Sequence, residues 1–127
     1  MKKILLVMLL LLPLSALGQR NDWNLFIQAL IEVESKGNEL ADDGKGCWGV
    51  LQLTDIYVRE VNRLYGTSFV HKDAFDREKS IMMFKLMQDA KNPKHDFKKA
   101  LDIHNPRHPE SYAVKVYMEF NRLLNSK

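Results

Sequence analysis

Apolar residues recur at three- and four-residue intervals through Trp23, Phe26, Ile27, Leu30 and Ile31, the spacing that gathers side chains on one face of an α-helix. Asn21 or Asp22 is a suitable N-cap for it. Helical patterning is read over roughly 21–36, 54–65, 76–91, 94–104 and 110–125, and no stretch shows the strict alternation of a half-buried strand. Thr54 and Asp55 stand at the head of the second segment and Gly66 at its end, as capping requires. Asp73 to Asp76 lead into the third, whose apolar stripe runs through Ile81, Met82, Phe84, Leu86 and Met87, with the methionines as core filler. The expected fold class is all-α.

The first residues carry Lys2 and Lys3, an apolar run from Ile4 to Leu12, Pro13, and Ala16-Leu17-Gly18, the three parts of a secretory signal peptide. Cleavage near Gly18 is expected, leaving residues 19–127 as one small domain. The apolar run is too short to span a bilayer, and no cysteine stands after the small-residue site to take a lipid, so no stable membrane anchor is expected. The expected location is the periplasm or outside the cell. Cys47 is the single cysteine, so the fold must rest on its apolar core, with no intrachain disulfide. Nothing beside Cys47 reads as activating a catalytic thiol. The formal charge of +3 falls to +1 once Lys2 and Lys3 are gone, which argues against nucleic acid as a partner. Lys91, Lys94, Lys98 and Lys99 are interleaved with Asp89, Asp96 and Asp102, the pattern of a solvated face.

Residues 37–53 form the longest non-helical stretch, with Gly37, Gly44, Gly46, Gly49, Asp42 and Asp43, and loops of this kind carry sites more often than cores. It is flanked by Glu34-Ser35-Lys36-Gly37-Asn38 and closed by Gly49-Val50-Leu51-Gln52. Cutting a glycosidic bond requires a proton for the leaving oxygen, hence a carboxylic acid kept protonated near neutral pH. Burial against apolar groups and the negative end of a helix dipole both favour the protonated form. Glu34, in the last turn beside the apolar stripe, meets both conditions, whereas Glu32 lies on another face and points toward water.

Glu34-Ser35 at a helix end, a glycine-containing loop and then Gly-x-x-Gln resemble the signature of the lysozyme-like lytic transglycosylases, the soluble lytic transglycosylase catalytic-domain family. The similarity extends through Leu53-Thr54 into the next helix and, more faintly, to Ala100-Leu101-Asp102-Ile103-His104-Asn105. It implies a small lysozyme-like helical domain with a glycine-rich active-site loop. It also implies a peptidoglycan substrate and no cofactor: Glu34 as sole acid and base, Ser35 as its hydrogen-bonding neighbour, Gln52 as a sugar-contacting amide, Asn105 as the later asparagine. In the implied reaction Glu34 protonates the oxygen between N-acetylmuramic acid and N-acetylglucosamine, and the substrate's acetamido group stabilises the anomeric carbon. Glu34 then takes the proton of the C6 hydroxyl, which closes a 1,6-anhydro ring.

Two departures from the family pattern stand out. His104 occupies the position of a tyrosine, and Pro106-Arg107-His108-Pro109 replaces a glycine-rich turn. Tyr112 or Tyr117, on the last helix, could supply the missing hydroxyl, and the His104 imidazole could itself substitute. Hydrolysis by a lysozyme mechanism would instead need Asp42, Asp43 or Asp55 to hold a water. A lysozyme-fold module that binds glycan or a partner without cutting is the reading from a different class. Trp48 either flanks the sugar groove or closes the core under the loop. His104, His108 and Glu110 are not read as a metal site, because Pro106 and Pro109 break the helical register such a set would need. By analogy, an enzyme this small would open the wall locally for a conjugation or secretion assembly.

Overall fold

The computed structural model describes residues 22–126; the expected signal peptide and Asn21 lie outside them. Five α-helices follow one another: α1 over residues 22–35, α2 Asp55–Tyr65, α3 Arg77–Lys91, α4 Phe97–His104 and α5 Glu110–Asn125, with a 3-10 turn at His71–Phe75 before α3. The described residues form no strand, only two isolated bridges that join Trp48 to Asp42 and to Leu53. The all-α class therefore holds.

Helix α1 is the centre of the core. Trp23, Leu25, Phe26, Ile27, Ala29, Leu30 and Ile31 are all buried, and its exposed residues before the last turn reduce to Asn24, Gln28 and Glu32, a single i, i+4, i+8 line. The burial is wider than the expected stripe because other elements close over most of its circumference. Phe97 stacks on Phe26 at 4.4 Å and meets Phe120 edge-on at 5.1 Å. Tyr112, about two turns before Phe120, reaches Glu34, about two turns after Phe26. Helices α1 and α5 thus run in opposite senses across the core, and α5 presents Tyr112, Ala113, Val116, Tyr117, Phe120 and Leu123 to it.

The helix ends follow their capping chemistry. Thr54 accepts from the Tyr57 amide, and Gly66, at φ 66°, ends α2. Asp76 accepts from the Lys79 amide at the head of α3. Helix α4 begins at Phe97 and not near residue 94, because His95 has φ 54° and Asp96 is the N-cap, accepting from the Lys99 amide. A buried amide pair ties α3 to α4: Asn92 donates to Gln88 Oε1 and to the Asp96 carbonyl, and accepts from the Asp96 amide. The α3 stripe departs from expectation at one methionine, with Met83 in the place expected of Met82. Met83 and Met87 are in the core, whereas Met82 is half exposed and fills nothing.

The segment 49–53 runs through the interior with no helix or sheet to satisfy it, and Val50, Leu51 and Leu53 are each at most 1% exposed. Buried carbonyls need donors. Ser35 Oγ donates to Val50 O at 2.8 Å, His104 Nε2 to Leu51 O at 2.8 Å and His71 Nε2 to Leu53 O at 2.8 Å. A carbonyl oxygen can only accept, so in both histidines Nε2 carries the proton. Gly49 enters this segment at φ 81°, and a Cβ there would lie 1.7 Å from the Ala74 carbonyl oxygen. Gly49→Ala is expected to cost about 3 kcal/mol or more of stability, against about 1 kcal/mol for Gly44→Ala, where only the backbone conformation is at stake. Chemical denaturation of the two variants checks this: equal losses would mean that the 49–74 approach does not constrain the fold.

Candidate functional site

Glu34 lies three and four residues after the buried Ile31 and Leu30, on the inward side of the last turn of α1. Its side chain is 14% exposed, while Glu32 continues the exposed line of Asn24 and Gln28. The carboxylate does not face the interior unaided. Tyr112 donates its hydroxyl to Glu34 Oε2 at 2.6 Å, and His104 Nε2 lies 3.4 Å from the same oxygen while bonding Leu51 O. Burial, the nearby Glu34 charge and this hydrogen bond push the Tyr112 phenol far above the usual tyrosine range, so it acts as a donor throughout ordinary pH. The His104 imidazole is 2% exposed, wedged edge-on between Tyr57 and Phe84. Its Nδ1 is buried with no partner among the described residues.

Glu34 and His104 line a cleft of about 510 Å³, within the size range of small-ligand sites. Glu34 comes from α1; Asp43, Cys47 and Gln52 from the loop; Thr54, Ile56, Tyr57 and Glu60 from the N-cap and first half of α2; Met87 and Lys91 from the end of α3. The α4–α5 connection completes it with Ile103, His104, Asn105 and Pro106. Another groove, of about 560 Å³, runs along Glu39, the 3-10 turn and the head of α3. Its two aspartates are engaged otherwise: Asp73 accepts from the Val70 amide and pairs with Lys79, and Asp76 caps α3.

The cleft brings together Glu34, Gln52, Asn105 and His104, four of the six residues singled out from sequence. Gln52, at φ 54°, is held by donating through Nε2 to Ala41 O and Gly49 O, so its amide oxygen is left for other partners. A non-glycine residue in this strained region persists where its surroundings fix it. Ser35 has a different place from the one expected: its hydroxyl donates to Ile31 O and Val50 O and not to Glu34, because it stands where the helix end must be fastened to the buried loop segment. Trp48 is likewise turned away from the cleft, stacked on His71 at 3.7 Å and on Phe75 at 4.9 Å, and so closes the core under the loop. Of the two candidate tyrosines, Tyr112 is the one that reaches Glu34.

Of the three aspartates weighed as water-holders, only Asp43 lines the cleft. Asp42 accepts from the Gly44 amide and Asp55 pairs with Arg59. Amide donors from Cys47 and Lys45 hold the Asp43 carboxyl below the usual carboxylate range. Burial, aided by Asp43, pushes the Cys47 thiol up to about 11, which leaves it protonated and a poor nucleophile near neutral pH.

Comparison of the chain with protein-family models, with curated proteins and with solved structures finds no match. The candidate site rests on its own geometry.

Tyr112→Phe removes the one hydroxyl on Glu34 and is expected to cost about 1–2 kcal/mol. The pH dependence follows from the raised phenol. An unfolded tyrosine ionises near 10.0 and the folded one far above, so this stabilisation is complete below pH 10 and declines as pH rises past it. Denaturation at pH 7 and in the alkaline range should show a shallower alkaline loss in the variant than in the wild type. Identical slopes would mean that Tyr112 is not the proton-holding group.

Proposed function

We propose that the protein is a lysozyme-like lytic transglycosylase that cleaves the N-acetylmuramic acid–N-acetylglucosamine bond of peptidoglycan. The observation that carries the reading is a single carboxyl, 14% exposed at a helix end, gripped by Tyr112 and faced by His104 on a cleft. In this reading the loop of residues 37–53 is the glycine-rich active-site loop. The Tyr112 hydroxyl supplies, from α5, the phenol that the family pattern has where this chain has His104.

The chemistry balances on one side chain. Glu34 gives its proton to the bridging oxygen, and the bond from that oxygen to the anomeric carbon breaks as the neighbouring acetamido oxygen bonds to that carbon. The leaving sugar departs with a free hydroxyl. Glu34, now a carboxylate, takes the proton of the C6 hydroxyl; the oxygen attacks the anomeric carbon, the acetamide is restored and the acid is regenerated. No water is consumed. Tyr112 and His104 orient the carboxyl through both stages, and the Gln52 and Asn105 amides hold the sugars. The substrate places the protein in the periplasm or outside the cell, in keeping with the character of residues 1–18, and a wall-crossing conjugation or secretion assembly is the partner suggested by analogy.

A hydrolytic lysozyme is the alternative that Asp43 favours, since it adds a carboxylate from the loop to the same cleft. The products decide. Peptidoglycan digested by the wild type should yield 1,6-anhydromuramyl ends by mass spectrometry, with the rate falling roughly a thousandfold in Glu34→Gln. Reducing ends would assign hydrolysis. Unchanged glycan, with intact folding and binding, would assign a non-cutting module.

A further inference from the structure

The cleft is chemically asymmetric. Along α2 its wall runs from Thr54 past Ile56 and Tyr57 to Glu60, six residues or about 9 Å of helix. Asp43 lies on the loop side of this wall, whereas the Glu60 end is met by Met87 and Lys91 from the last turn of α3. Among the described residues that line the cleft, Lys91 is the one cation. Its ammonium is weakly engaged: Glu60 Oε2 is 3.9 Å away, and Glu60 is already bound through Oε1 by Arg63 at 2.6 Å. Lys91 is 42% exposed, and Ile56, one turn before Glu60 on the α2 wall of the same cleft, is 79% exposed. A cation with spare donors, in a cleft that also carries bare apolar surface, suits a carboxylate carried on short apolar units.

Neutral N-acetylated sugars offer no such anion. The lactyl branch of muramic acid does, either as its own carboxylate where the peptide is missing or as the carboxylates of the attached peptide. Resting on the glycan-cleaving reading above, we propose that Lys91 is a specificity residue that pairs with a carboxylate on the muramyl branch, so that the cleft distinguishes peptidoglycan from uncharged N-acetylglucosamine polymers.

Binding to the uncleaving Glu34→Gln protein tests this with three soluble ligands: a neutral N-acetylglucosamine oligomer, amidase-stripped glycan strands and peptide-bearing strands. Adding Lys91→Ala should weaken one or both carboxylate-bearing ligands about fivefold, Lys91→Glu should weaken them further, and Lys91→Arg should restore them. Which of the two strands responds identifies the source of the carboxylate. The neutral oligomer should bind alike in all four proteins. Equal weakening of all three ligands, or of none, or binding of none, overturns the assignment. Should the wild type release no cleaved fragments while charged strands still bind in a Lys91-dependent way, the cleavage reading fails and this one stands.

Discussion

The structure depends on satisfying the backbone of residues 49–53 where it passes through the core. The amides and carbonyls of a buried irregular segment have no ladder to join, and each one left unpaired costs about 1–3 kcal/mol. Trp48 and Leu53 answer part of this by exchanging backbone bonds. The Gly49 amide bonds Ala41 O, and side chains from three other elements donate to three of the carbonyls: Ser35 at the end of α1, His71 at the 3-10 turn and His104 at the end of α4. One segment therefore ties together the ends of two helices and the turn before a third.

The candidate site is a consequence of that arrangement. Ser35 can fasten α1 to Val50 only if the last turn of α1 lies against the loop, and this sets Glu34 at the cleft. His104 reaches Leu51 O and, with the same nitrogen, comes within 3.4 Å of Glu34. The antiparallel run of α5 then delivers Tyr112 to the carboxylate. The groups that stabilise the fold and those that orient Glu34 are in part the same, so strain at Gln52 and orphaned Nδ1 of His104 lie where structure and site overlap.

Much of the fold was legible in the sequence because helix signals are local. Periodicity located all five helices, and Thr54, Gly66 and Asp76 marked termini through bonds made within a few residues. The 3-10 turn at His71–Phe75 has no such periodicity, and the start of α4 depended on the left-handed conformation of His95. Glu34, Gln52, His104 and Asn105 were legible through a spaced motif. The roles of Ser35 and Trp48 were not, since Val50 O and the His71 ring lie 15 and 23 positions away, and only tertiary packing decides which neighbour a hydroxyl or an indole meets. Tyr112 stood as one of two choices until the direction of α5 was known, and Lys91 read as one of several solvated lysines because its neighbourhood with Glu60 belongs to the packing of α3 on α2.

The central claim is that Glu34 faces a scissile glycosidic oxygen inside this cleft. A crystal structure of the Glu34→Gln protein with an intact muramyl oligosaccharide addresses it most directly. The account expects a sugar lying past Gln52 and Asn105, with a bridging oxygen within hydrogen-bonding distance of residue 34. A strand bound elsewhere on the surface, or one crossing the cleft with no bridging oxygen near residue 34, would contradict it.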